Sequence, residues 1–240
     1  MKQPDRTLVS VLDPFMTEHG FKYVKSRDVY IRKTDSGLDD FSWSSFPLAT
    51  GPKWRAGYYE GQYGLGLRND AVEEITRVAM PIYGADNQRY AFTVYRSVGG
   101  YFAFDRERDR ELCLRFDHLE EDVKETVQRI EAMLSVDGFA WYKRYADPVT
   151  LSRDLNDPIA TSEAHPLQNN PGSRPLVGVA AACVAEPGRV PELIEAYLNF
   201  TSERDKLHAH KRPPEAPDME KKLLMIVERA RELGYEAKAR

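Results

Sequence analysis

A glycine-rich segment is the first candidate for cofactor chemistry. Residues 64–69 read Gly-Leu-Gly-Leu-Arg-Asn, between strand-like and helix-like sequence. This is the context in which the glycine-rich loop of a dinucleotide-binding domain holds a pyrophosphate. However, Asn69 occupies the position of the third glycine, and the glycines continue the spacing of Gly57 and Gly61 within the strand. We therefore interpret the segment as strand sequence, and no cofactor is predicted.

Histidines are the residues most able to bind a metal or transfer a proton at neutral pH. The chain has five, at His19, His118, His165, His208 and His210. On a helix His208 and His210 would point apart, because positions i and i+2 do not share a face. No cysteine or further histidine lies near them at zinc-ligand spacing. The sequence therefore predicts no metal site.

Adjacent acidic residues are the other candidates for catalysis, as the pairs Asp39-Asp40 and Glu73-Glu74. Neighbouring side chains diverge on a strand or a helix, whereas a two-carboxylate site needs both groups to converge on one substrate. Solvation in a loop and capping of a helix explain these pairs better. No serine-hydrolase elbow, phosphate-binding loop or metalloprotease helix occurs either. No catalytic residue is predicted, and a non-enzymatic protein is favoured over an enzyme.

Charge and composition exclude several classes of protein. The net charge is −4, and the basic run 106–110 alternates with acids, so there is no basic face for nucleic acid. Cys113 and Cys183 are too few and too far apart for a disulfide framework, which favours a reducing compartment. No stretch approaches the roughly 18 apolar residues that span a bilayer. The sequence predicts a cytoplasmic protein with neither a nucleic-acid nor a membrane partner.

Aromatic side chains are the best candidates for binding. Nine of the thirteen tyrosines lie between Tyr23 and Tyr101. Exposed Trp and Tyr residues anchor protein interfaces, although most large rings are buried. Over residues 54–67 the rings alternate onto both faces of a strand, so we expect one face to be buried and one to be partly exposed. The predicted interaction surface comprises Trp43, Trp54, Tyr58, Glu60 and Arg68, and a core position stays open as the alternative for each ring.

The elements that position these side chains begin with a helix. Apolar residues recur at helical spacing from Leu8 to Met16, and Gly20 follows where a left-handed C-terminal cap would lie. Residues 21–33 then predict a strand that ends at an Asp-Ser-Gly turn. Alternation recurs over 41–45, where Pro47 and Gly51-Pro52 end the strand, then over 54–67 and 90–104, with a hairpin turn at Gly-Gly 99–100. Between these stretches, Asp70 and Glu73 predict a capping box that opens a short helix.

The second half of the chain is helical. A long helix is predicted over 119–134, shorter helical segments over 139–142 and 151–155, and three helices follow near 176–186, 191–205 and 218–233. Residues 157–175 are rich in Pro, Gly and Asn and predict an exposed connection. We predict an α+β fold, a twisted, mostly antiparallel sheet with helices packed on one face, followed by a C-terminal helical lobe. The predicted division is 1–116 and 117–240 within one continuous structural unit.

Three segments resemble bacterial families of domains of unknown function. They are 20–23 (Gly-Phe-Lys-Tyr, after the helix that includes Leu12), 67–73 (Leu-Arg-Asn-Asp-Ala-Val-Glu) and 138–145 (Gly-Phe-Ala-Trp-Tyr-Lys-Arg-Tyr). In those families a helix and a Gly-Phe strand lead into a sheet, and a helical half follows. Some similar small proteins are regarded as immunity or accessory proteins beside toxins. The resemblance therefore implies a protein partner or self-association, and no catalytic assignment.

Two functional hypotheses follow. The first is a non-enzymatic, protein-binding protein of the immunity or accessory type. The alternative is a small-molecule-binding domain or an unrecognised hydrolase, with a cleft between sheet and helical lobe lined by Trp54, Glu60 and Arg68. An exposed apolar patch would favour a protein partner, and a deep concave pocket would favour a small ligand.

Overall fold

The computed structural model describes residues 3–47, 58–80, 91–97, 113–115, 118–159, 167, 173–208 and 219–235. The chain forms two compact units, a sheet unit of residues 1–66 and 96–142 and a helical unit of residues 67–95 and 143–240. The predicted α+β class is confirmed. The predicted boundary at residue 116 differs from this division, because the first long helix after it belongs to the sheet unit.

The described residues contain six strands. They are β1 (Lys22–Val24), β2 (Val29–Thr34), β3 (Gly37–Pro47), β4 (Tyr58–Asn69), β5 (Val94–Ser97) and β6 (Cys113–Arg115). The strand order is β1-β2-β3-β4-β5, and β6 pairs with β4. The β1/β2, β2/β3 and β4/β6 pairs are antiparallel. The segment 64–69 therefore continues β4, as the sequence predicts.

Helix α1 (Gln3–Glu18) covers the sheet unit through its apolar face. Leu8, Leu12 and Met16 are buried, and the helix packs against α3 (Leu119–Met133) and touches β1 and β3. Gly20 ends it with φ +81°, where Gly20 N–H donates to the Thr17 carbonyl and the next N–H donates to the Met16 carbonyl. This is the Schellman arrangement, so the predicted cap is confirmed.

The strand predicted over 21–33 is a hairpin instead. β1 and β2 are joined by a tight turn in which Arg27 N–H donates to the Val24 carbonyl at 3.0 Å and Asp28 has φ +55°. The turn contains neither Gly nor Pro, so sequence reasoning missed it, although Asp tolerates this left-handed conformation better than most residues. The second turn, which ends at Gly37, is confirmed.

The helical unit is built around one buried helix. Its helices are α2 (Asp70–Thr76), α5 (Pro148–Asn156), α6 (Arg174–Ala185), α7 (Val190–His208) and α8 (Met219–Glu232). Helix α4 (Phe139–Ala146) begins in the sheet unit after a π-helical turn (Leu134–Gly138) and ends in the helical unit. Helix α6 contacts α2, α5, α7 and α8. Because α6 is surrounded on all sides, its sequence is apolar all round.

Two local predictions need correction. The N-cap of α2 is Asn69, whose Oδ1 accepts the Val72 N–H at 3.3 Å, and Glu73 instead accepts a hydrogen bond from the Thr93 hydroxyl at 3.1 Å. The cap is one residue earlier than predicted because β4 runs directly into α2. Most of the predicted connection 157–175 and the predicted 99–100 turn lie outside the described residues. Leu167, however, is buried rather than exposed, and its carbonyl accepts the Tyr95 N–H.

Within the described part of the chain, no helix combines the length and the apolar character needed to cross a membrane.

Candidate functional site

The structure places the predicted interaction residues in different environments. Trp43 is 8% exposed and its ring lies 6.0 Å from that of Tyr63, so Trp43 is a core residue and does not belong to a surface. Trp54 lies outside the described residues. Tyr58 and Glu60 begin β4, where they pair with β6, and their side chains are not described.

The fifth predicted residue, Arg68, belongs to the helical unit. Its Nε lies 2.7 Å from an Asp70 carboxylate oxygen, and its side chain is largely buried. Arg68 therefore stands beside the N-terminus of α2, where a carboxylate also complements the helix dipole.

The adjacent acids Asp39 and Asp40 diverge as predicted, but they are not solvated. Each is 2% exposed. In the β2/β3 register Asp39 pairs with Arg32 and Asp40 with Ile31, so the two carboxylates face opposite sides of the sheet. The expectation of a solvated loop is wrong because these residues lie within β3, which is paired with strands on both sides.

Arg32 anchors the junction between α1 and β1. Its Nε and Nη2 lie 2.9 and 2.7 Å from the Asp39 carboxylate, and its Nη1 donates to the His19 carbonyl at 3.2 Å. The guanidinium also lies 4.6 Å from the centre of the Phe21 ring, a cation–π contact. Burial raises the pKa of Asp39, and Arg32 opposes that shift. The last turn of α1 and the start of β1 are thereby held together.

A groove of about 610 Å³ runs beside this junction, between α1 and β1. Its helix wall consists of Val9, Ser10, Asp13, Pro14 and Thr17, and its strand wall of Phe21, Lys22 and Tyr23. The helix wall forms because positions three and four apart share one face of a helix. The groove lies wholly within the sheet unit, and both walls are part of the described chain.

Pro14 gives the helix wall an unusual backbone. Proline has no N–H, so it cannot donate the helical hydrogen bond to the carbonyl of Ser10, four residues earlier. Both residues line the groove. The Ser10 hydroxyl donates to the Thr7 carbonyl at 2.7 Å. The wall therefore combines two hydroxyl groups and one carboxylate with a carbonyl that lacks its usual helical donor.

Two tyrosines hold the strand wall. The rings of Tyr23 and Tyr30 lie 5.2 Å apart. The Tyr23 hydroxyl donates to the Asp28 carboxylate at 2.6 Å, and the Tyr30 hydroxyl lies 3.3 Å from the Val9 carbonyl. Burial is the main cause that raises the pKa of both phenols, and neighbouring carboxylates raise it further. Both tyrosines are therefore neutral at physiological pH.

The strand beside the groove ends the sheet. β1 is the first strand of the order, and within the described ranges it pairs with β2 alone. The outer edge of a terminal strand carries N–H and C=O groups that can pair with another chain. Sequence reasoning missed this site. A proline inside a helical apolar pattern, followed by a short strand, was the available signal.

The helical unit contains a smaller pocket of about 350 Å³. Its apolar residues include Cys183, Val190, Val227 and Ala230, and Arg231 also lines it. Burial raises the pKa of the Cys183 thiol to about 11, so the thiol is protonated at neutral pH and is a poor nucleophile. Cys183 is thus a small buried hydrophobic residue, as the sequence predicts.

No group of three or more His, Cys, Asp or Glu residues within the described ranges could hold a metal ion. Comparison with protein-family models, curated proteins and solved structures found no match.

Proposed function

We propose that the chain is a non-enzymatic, protein-binding protein of the immunity or accessory type. It receives an extended segment of its partner along the outer edge of β1, in the groove beside α1. The observation that carries the proposal is the position of β1: a terminal strand whose edge adjoins a groove closed on its other side by a helix. Strand addition at a sheet edge is an established way for a domain to recognise a peptide.

Strand addition explains why both walls are needed. An added strand gains affinity from main-chain hydrogen bonds and specificity from its alternate side chains. Those side chains that face α1 enter the groove, where Asp13 and the hydroxyls of Ser10 and Thr17 can contact them. The neighbouring side chains face the other side of the sheet. The helix wall therefore supplies selectivity, and the strand edge supplies affinity.

The groove is also pre-organised. Arg32 ties the end of α1 to the start of β1 through Asp39 and the His19 carbonyl. The Schellman arrangement at Gly20 fixes the chain between them. A receptor that is already ordered loses little conformational entropy when it binds, so more of the contact energy appears as affinity.

The first prediction tests the binding mode. Selection from a random nine-residue peptide library against the whole protein should enrich peptides that bind as an added strand. Methylation of successive peptide N–H groups should then weaken binding at every second position, because only alternate N–H groups face β1. Fluorescence anisotropy of each methylated peptide measures this. Equal effects at all positions, or no enriched peptide, would contradict the proposal.

A pair of variants localises the binding. Ser10→Trp should fill the groove and weaken binding at least tenfold, because Ser10 is an exposed residue of the helix wall. Glu18→Trp is the matched control, since Glu18 is exposed on the same helix but does not line the groove. Equal loss of binding in both variants would mean that the peptides bind elsewhere.

A further inference from the structure

The two tyrosines determine which side chains of a bound segment enter the groove. Tyr23 pairs with Tyr30 in the β1/β2 register, so both rings lie on one face of the sheet. The Tyr30 hydroxyl lies against the Val9 carbonyl of α1, so this face is the one toward the helix. By the alternation of a strand, Lys22 and Val24 belong to the opposite face.

A residue that pairs with Tyr23 across the open edge would follow the same rule. Paired residues of adjacent strands place their side chains on one face, with Cβ atoms about 4.5–5.5 Å apart. The partner residue opposite Tyr23 would therefore project over the tyrosine ring and toward the wall that contains Asp13 and Pro14.

Carboxylates outnumber cations around this position, where Lys22 is the basic residue that lines the groove. The Asp28 carboxylate accepts the Tyr23 hydroxyl at 2.6 Å, and Asp5 also acts on Tyr23 electrostatically. Asp13 acts on Tyr30 both through its charge and as an acceptor for its hydroxyl, and Asp13 lines the groove. Three carboxylates thus act on one pair of neutral rings. A cation over a tyrosine face is favourable, and a cation that also contacts a carboxylate forms a charge-assisted hydrogen bond.

We propose that the partner segment presents an arginine or lysine side chain opposite Tyr23, between the tyrosine ring and the Asp13 carboxylate. This inference rests on strand addition at β1. Arginine is the better fit, because its planar guanidinium can lie on a ring while its edge meets a carboxylate. An acidic residue at the same position would be repelled by Asp13 and would weaken binding.

The second prediction uses the most enriched library peptide and its single-residue derivatives. The methylation pattern identifies which peptide residue pairs with Tyr23. In the most enriched peptide, that residue should be the arginine or lysine. Replacement of that residue by norleucine should weaken binding about tenfold, and replacement by glutamate should weaken it further, since a charge-assisted bond contributes about 1.5 kcal/mol or more. Asp13→Asn should abolish the difference between the cationic and norleucine peptides, whereas Glu18→Gln should preserve it.

A second variant makes the test independent of Asp13. Tyr23→Leu should weaken binding of the cationic peptide more than that of the norleucine peptide, because it removes the ring but keeps an apolar side chain. Circular dichroism melting curves confirm that each variant is folded.

The outcomes separate the two proposals. Two results would overturn this inference and leave strand addition standing. In the first, peptides show the two-residue methylation pattern but no preference for a cation. In the second, the preference for a cation survives Asp13→Asn. Absence of the methylation pattern would overturn both. Self-association that no peptide displaces, measured by sedimentation, would show that a second copy occupies the edge, and would also overturn the inference.

Discussion

Two buried sites, one in each unit, differ in how their polar groups are satisfied. In the helical unit, the Tyr197 hydroxyl donates to Asn156 Oδ1 at 2.8 Å, and Asn156 Nδ2 donates to the Gly178 carbonyl at 3.0 Å. In the sheet unit, the Asp40 carboxylate is equally buried, and its Oδ1 has no hydrogen-bond partner. At the first site a buried amide oxygen is satisfied by a hydroxyl donor, whereas at the second site a group that can become charged is buried with one oxygen unpartnered.

The surroundings of each site reinforce the difference. Arg174 donates to the carbonyls of Leu155 and Pro158 at 2.8 and 2.7 Å, and so satisfies one carbonyl in the last turn of α5 and one just beyond the helix. The backbone carbonyl of Asp40 does accept a hydrogen bond, from the Tyr142 hydroxyl at 2.6 Å. Burial raises the pKa of the Asp40 carboxyl to about 7, and the charge of Arg27 only partly opposes this. The Asp40 site should therefore make stability depend on pH, whereas the hydrogen bonds among Tyr197, Asn156 and Gly178 should not.

The largest expected effect comes from Asp40. The pKa of its carboxyl is 3.8 when unperturbed and about 7 in the folded protein, so the folded state holds the proton more tightly than the unfolded state. Stability from this group is therefore greatest below pH 4 and is lost as the pH rises to 7, by about 4 kcal/mol. Asp40→Asn cannot titrate. The free energy of unfolding of the variant minus that of wild type should therefore increase by about 4 kcal/mol between pH 4 and pH 8.

Urea denaturation at several pH values measures this difference. Burial also raises the pKa of Asp39 and Glu73, but both residues are present in wild type and variant, so their contributions cancel. A difference between the two proteins that stays constant with pH would show that Asp40 is ionised in the folded state.

The next effect tests how closely the neutral network is packed. A Cβ atom at Gly178 would lie 2.4 Å from Asn156 Oδ1 and 3.0 Å from the Tyr197 hydroxyl. Gly178→Ala should therefore lower the free energy of unfolding by about 3 kcal/mol, because the contact forces α5 and α6 apart. Gly188→Ala is the control, since a Cβ there meets nothing within 4 Å, and its effect should stay within about 0.5 kcal/mol. Equal effects of the two substitutions would refute the close packing.

The smallest effect concerns one hydroxyl group. Tyr197→Phe leaves Asn156 Oδ1 buried without its donor and should cost about 2 kcal/mol. The pKa of Tyr197 is raised to about 12, chiefly by burial, so this cost should not change between pH 4 and pH 8. Tyr145→Phe should cost less, because Asp154, which accepts the Tyr145 hydroxyl, is also bound by Arg144. A cost of Tyr197→Phe that varies with pH would mean that the network contains a titrating group.

Local sequence patterns predicted much of the fold. The apolar spacing of α1, its glycine cap and the three C-terminal helices follow from interactions within a few residues of each other, and all were confirmed. The β1/β2 turn was missed because its left-handed residue is Asp28 and not glycine. The cap of α2 was shifted by one residue because β4 ends without a loop.

The candidate site was harder to predict. The groove needs α1 and β1 to lie side by side, and the buried state of Asp39, Asp40 and Trp43 depends on strand pairing that local patterns do not specify. For this reason the sequence left Trp43 open between surface and core, and predicted a loop for the two acids. Pro14, within the apolar pattern of α1, was a local signal for the groove that the sequence analysis did not use.

The division of the chain has a consequence for synthesis. The polypeptide passes between the two units three times, after residues 66, 95 and 142. The sheet unit is therefore complete only 76 residues after its first segment ends, an interval of about 4–15 s at ordinary rates of translation. Until residue 133 has been added, α1 has been made but α3, which packs against it, is incomplete. A nascent chain stalled before residue 119 should thus expose the apolar face of α1 and recruit chaperones.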